Sequence, residues 1–114
     1  MTGKCQNLKF GFTAAATSAD TECSSDGERY AQMLTDCKLG FELGYDCAWV
    51  LEHHFTDYFP TPSPIVVMSH LAAAFPGLSL GSCVLVLPWY NPLRLAEEIS
   101  MLSHFCKWDL HLAF

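Results

Sequence analysis

Three observations predict an α/β fold of alternating strands and helices for this 114-residue chain. Short apolar runs alternate with stretches whose apolar residues recur at helical spacing. Two of those stretches open on a Ser-Pro or Asn-Pro pair, at Ser63-Pro64 and Asn91-Pro92, which read as N-cap and first-turn proline. Helix stops at Gly44 and at Pro76-Gly77 separate helices from strands. The order is β-α-β-α-β-α-β. Each crossover is long enough to be right-handed and to join parallel strands. Residues 1–114 form one domain's worth of sequence, with no linker or low-complexity segment.

Residues 8–13 read as the first strand, followed by a small, polar loop over 14–26. From about Glu28, Tyr30, Leu34, Cys37 and Phe41 recur at helical spacing up to the cap at Gly44. Gly40 inside that helix is expected to cost about 1 kcal/mol relative to alanine. Residues 46–51 form the second strand, whose near-continuous apolar character suggests burial on both faces. After a proline-rich loop, Ile65, Met68, Leu71, Ala72 and Phe75 give the second helix its stripe. Residues 78–87 read as the third strand, and Leu95, Ile99, Leu102 and Cys106 as the stripe of the third helix. Residues 108–114 begin a fourth strand.

Composition narrows the classes of function. The formal charge is −6, and the six Lys and Arg are scattered. No basic stripe exists to track phosphates, which argues against a nucleic-acid partner. The longest apolar run, 83–90, is far short of the roughly 18–20 residues that span a bilayer. No signal peptide is visible, so a cytoplasmic protein with no membrane partner is expected. The cysteines at 5, 23, 37, 47, 83 and 106 form no Cys-x-x-Cys pair. They read as reduced, buried thiols rather than disulfides or metal ligands.

Glu52, His53 and His54 arrive together at the carboxyl end of the second strand, where α/β proteins bind ligands. An imidazole beside a carboxylate suits a general base near neutral pH. Hydrogen-bonded residues of a polar loop would look the same, and position leaves both open. In an extended segment the two rings point to opposite faces, which disfavours a zinc site. Cys83 in the third strand reads as core, since no neighbouring cation lowers its pKa. Arg94, Glu97 and Glu98 read as a solvated helix face. His70 and His104 are treated as structural, and His111 is undecided. Neither Gly-x-Gly-x-x-Gly, a Walker pattern nor Gly-x-Ser-x-Gly occurs.

Three segments occur in one order: Leu-Gly-Tyr-Asp-Cys-Ala-Trp-Val-Leu-Glu-His-His-Phe (43–55), Leu-Gly-Ser-Cys-Val-Leu-Val-Leu-Pro (80–88) and Asn-Pro-Leu-Arg-Leu-Ala-Glu-Glu-Ile-Ser-Met-Leu (91–102). Together they resemble the bacterial luciferase-like flavin-dependent monooxygenase family. The resemblance implies a (β/α)8 TIM-type barrel, of which this chain is the N-terminal half, truncated after four strands. It implies reduced FMN, or alternatively the deazaflavin F420 in a hydride-transfer oxidoreductase. A small organic substrate and O2, with a flavin reductase as electron supplier, would be its partners. His53 matches the catalytic base of luciferase, and Glu52 and His54 match its neighbours in the flavin pocket. Ser82, Cys83 and Val84 match the segment against the flavin ring, with a cis peptide at Cys83–Val84. Helices 64–75 and 92–105 match a dimer interface, where Ala72, Ala73 and Ala74 permit close approach.

Two departures accompany the resemblance. In the family the fourth strand leads into a glycine-rich end and a phosphate-binding arginine, and this sequence stops at Phe114, just short of those positions. Ala113 also stands where the family usually has glycine. A full barrel takes about 250 residues, so these 114 residues alone are expected to bind flavin poorly. A non-catalytic half-barrel that dimerises is the alternative from a different class.

Overall fold

The structure, a computed structural model, describes residues 8–17 and 25–114. Among them, four strands form one parallel sheet in the order β1-β2-β3-β4. The strands are β1 (Gly11–Ala14), β2 (Cys47–Val50), β3 (Ser79–Ser82) and β4 (Leu110–Leu112). They alternate with α1 (Asp26–Glu42), α2 (Pro64–Ala74) and α3 (Pro92–Phe105). The predicted β-α-β-α-β-α-β order is therefore observed, with every strand shorter than predicted. No helix of the described residues is long and apolar enough to cross a membrane.

Register assigns the two faces of the sheet. Phe12, Ala48, Leu80 and Leu110 form one row and Ala14, Val50, Ser82 and Leu112 the next. These rows face the helices and join Met33, Cys37, Met68, Leu71 and Leu102 in the core. The intervening residues Thr13, Trp49, Gly81 and His111 share the opposite face, because side chains alternate along a strand.

The helix signals act as expected, with one addition, the capping box of α1, and one exception, the cap expected at Ser63. Ser25 caps α1 in a capping box with Glu28, so the helix starts at Asp26, two residues before the start near Glu28 that the apolar repeat suggests. Gly44 adopts φ +82° after the helix end, the left-handed conformation that favours glycine there. Asn91 caps α3 by accepting from Leu93 N and Arg94 N, whereas Ser63 begins α2 without a side-chain cap.

Gly40 is not the weak point its helix propensity suggests. A Cβ there would stand 2.6 Å from the Phe12 ring, so its absence lets α1 approach β1 closely. The third strand also ends early. The apolar run continues past Ser82, but a cis peptide joins Cys83 to Val84. Leu85 then enters the core, and Leu87–Trp89 forms a 3-10 turn. An apolar run reports burial, and burial here is met by a loop as well as a strand.

Cys37, Cys47, Cys83 and Cys106 are free thiols. Cys5 and Cys23, like most of the loop over 14–26, lie outside the described residues. Burial pushes the Cys37 and Cys47 thiols up to about 11, with nearby aspartates adding to the shift. His70 and His104 are exposed on their helices rather than packed.

Candidate active site

The carboxyl ends of β2 and β3 meet through one buried carboxylate. Glu52 lies just past Val50, and its side chain has no solvent exposure. Its Oε2 accepts from Val86 N at 2.9 Å and from Tyr90 Oη at 2.8 Å. Its Oε1 stands 2.7 Å from His54 Nε2. A buried carboxylate is costly unless its lone pairs are engaged, and three partners engage these. Burial, followed by the bond to Glu52, drives the Tyr90 hydroxyl pKa strongly upward. Tyr90 is therefore a neutral donor.

The two histidines part company, as strand alternation predicts, although the strand has ended at Val50. The His54 ring stacks on Trp89 with centroids 4.6 Å apart and planes at 28°. The His53 ring packs at 4.7 Å on Phe59 and also borders Tyr58. His53 N donates to Thr61 O, which folds the following loop back beside it. Phe55 takes a positive φ of 55° and is 96% exposed. Such a backbone is uncommon for a bulky residue, and it ends the extended run. His53, His54, Phe55, Asp57 and Phe59 line a cavity of about 460 Å³ at this edge.

Ser82, Cys83 and Val84 occupy different environments. The Ser82 hydroxyl is fully buried, donating to Ala113 O and accepting from Ala113 N, both at 3.1 Å. It holds β3 to the end of β4 and has no side-chain atom free for a ligand. Cys83 and Val84 are exposed, which corrects the reading of Cys83 as core. Alternation past Ser82 directs Cys83 away from the helix-facing core, toward the side that Gly81 shares, and the strand ends one residue before it.

The largest side chain on the open face of the sheet among the described strand residues is Trp49. The Trp49 indole spans the space above Gly11 and Gly81, where a Cβ at either glycine would overlap it. His111 stacks beside it at 5.7 Å, which places that histidine on the open face. Arg29 and Arg94 pair with carboxylates of their own helices, Asp26, Glu97 and Glu98. Among the described residues, no three of His, Cys, Asp and Glu converge as metal ligands.

Tyr90, Trp89 and the Val86 amide are the site members that sequence spacing missed. They lie 34 to 38 residues from Glu52, beyond any local period. The available signal was an aromatic pair directly after Leu87-Pro88, in the loop next to that of Glu52.

Known proteins are similar to this chain in sequence and in fold. The uncharacterized protein y4vJ of Sinorhizobium fredii is 41% identical over 74 residues, 65% of this chain and 21% of its own. The alkanal monooxygenase alpha chain of Photorhabdus luminescens is 36% identical over 70 residues, 61% of this chain and 19% of its own. Among solved structures, monooxygenase RslO1 from Streptomyces bottropensis superposes with a TM-score of 0.80 at 25% identity. That match covers 94% of this chain and 34% of RslO1. The oxygenating constituent of 3,6-diketocamphane monooxygenase from Pseudomonas putida, solved with FMN, shares the fold. Its TM-score is 0.80 at 17% identity, over 92% of this chain and 28% of that one. The chain thus spans about a fifth of the curated relatives it matches, and its sheet is the first half of a (β/α)8 barrel. The luciferase-like monooxygenase family model matches residues 9–107, and the chain belongs to that family.

Proposed function

We propose that this chain carries the first half of the active site of a flavin-dependent monooxygenase acting with reduced FMN and O2 on a small organic substrate. The observation that carries this reading is the Glu52 junction. It fixes the ends of β2 and β3 beside the exposed Cys83–Val84 step, in a chain of the monooxygenase family. When bound, reduced FMN supplies the electrons that activate O2, one oxygen atom entering the substrate and the other leaving as water.

The residues present fit the ring portion of a flavin. Cys83 and Val84 offer an exposed, uncharged step of chain for a flat ring to lie against. Ser82 contributes by anchoring that step to β4. His53 is the proposed proton acceptor: its ring makes no side-chain hydrogen bond among the described residues and lines the cavity at this edge. Glu52 and His54 form the neighbouring wall. A dimer through α2 and α3 is proposed as well, since Val66, Ala73, Met101 and Phe105 are exposed on those helices.

The test is a fluorescence titration of FMN, and separately of F420, with the 114-residue chain, its oligomeric state followed in parallel. Weak, saturable quenching of FMN that Val84→Asp abolishes is the expected result. Tighter binding of F420 would move the reading to hydride transfer. A stable dimer with no affinity for either would leave a non-catalytic half-barrel.

A further inference from the structure

Two features of His54 are fixed independently. The stack on Trp89 sets the plane of the ring, and the 2.7 Å approach to Glu52 sets its rotation within that plane. An ionised carboxylate only accepts hydrogen bonds, and a neutral imidazole donates from one nitrogen alone. A neutral ring that donates to this carboxylate carries its proton on Nε2 and its lone pair on Nδ1. Nδ1 has no protein partner among the described residues, yet it is not a buried unsatisfied atom. It is not sealed from solvent, and His54 lines the cavity at this edge.

What holds Glu52 in this pose is the pair of donors on its other oxygen, the Val86 amide and the Tyr90 hydroxyl. The amide is fixed by the backbone. The hydroxyl is the one side-chain restraint, and it comes from the loop that also supplies Trp89.

We infer that Tyr90 is a positioning residue: through Glu52 it locks His54 in the Nε2–H form and presents Nδ1 as a second proton-accepting atom at the mouth. A proton taken there passes to Nδ1, and the resulting imidazolium is balanced by the Glu52 carboxylate at Nε2. Use of that atom in turnover rests on the flavin-enzyme reading above; the lock itself does not.

The test is imidazole 1H–15N correlation spectroscopy of the 15N-labelled chain near pH 8.5, where free imidazoles are neutral. His54 is expected to show a solvent-protected Nε2–H and an unprotonated Nδ1. Tyr90→Phe, with an unchanged amide spectrum, is expected to exchange that proton roughly tenfold faster. Trp89→Leu keeps all three hydrogen bonds and is expected to retain most of the protection. The inference is overturned if His54 lacks a protected Nε2–H in the unmodified chain, or if its proton sits on Nδ1. It is equally overturned if Tyr90→Phe leaves exchange unchanged, or if Trp89→Leu accelerates it as much. Titrating the same samples with FMN separates the two readings. No FMN binding with the imidazole result intact removes the flavin reading alone.

Discussion

The two faces of the sheet are drawn from alternate residues of the same four strands, yet they are built to different rules. The helix-facing rows carry Phe12, Ala48, Leu80 and Leu110, then Ala14, Val50, Ser82 and Leu112. They are packed by side chains from three helices. The open face carries glycines at two positions so that one indole, Trp49, can lie flat across them. One face is filled by many apolar groups. The other depends on a single large group and the space kept clear for it.

Breaking the first face should have the largest effect. Leu80 is 1% exposed in the middle of the helix-facing row. Leu80→Ala is expected to cost about 2–5 kcal/mol, through lost burial and the cavity left behind. A fall in the urea midpoint with an unchanged slope measures it. A loss no larger than that of an exposed substitution would mean the helices do not stabilise the sheet.

Overfilling the second face comes next. Gly81→Ala puts a methyl group into the Trp49 indole and is expected to cost about 1–3 kcal/mol. Pairing it with Trp49→Leu should recover part of that loss, because the two residues are in contact. Strict additivity in the double-mutant cycle would show that the indole does not rest on Gly81.

The smallest effect compares a thiol on each side of the sheet. Cys37 belongs to the helix-facing core, and Cys47 shares a register row with Gly11 and Ser79. Both are pushed up to about 11 by burial. The unfolded chain gives up these protons first, so stability is full below about pH 9 and declines as pH rises toward 11. By pH 9.5 the loss should be about 1 kcal/mol or less per thiol. Urea midpoints across this range, with Cys37→Ala and Cys47→Ala, should show each substitution flattening the decline. A flat profile in the unmodified chain would mean that neither thiol is desolvated by folding.

Much of the fold was legible in the residues, for identifiable reasons. Apolar period, Asn91-Pro92 and Gly44 act within a few positions of themselves, so the element order could be read directly. The capping box at Ser25 and Glu28 was equally local and marks a start that apolar period alone places too late. The end of β3 was less accessible, since Leu85 is apolar in a loop for the same reason it would be apolar in a strand. Gly40 misled because its value lies in Phe12, on another element.

The candidate site divides along the same line. The sequence determined that Glu52, His53 and His54 would arrive together at the carboxyl end of a parallel strand, because alternation and chain direction are properties of the backbone. It also carried the family, in three segments that keep one order. Only the tertiary structure decided which histidine meets the carboxylate, that Tyr90 and the Val86 amide complete its shell, and that Trp89 stacks on the ring. Those contacts join loops that are distant in sequence. They follow from the lateral pairing of β2 with β3, which no local pattern records.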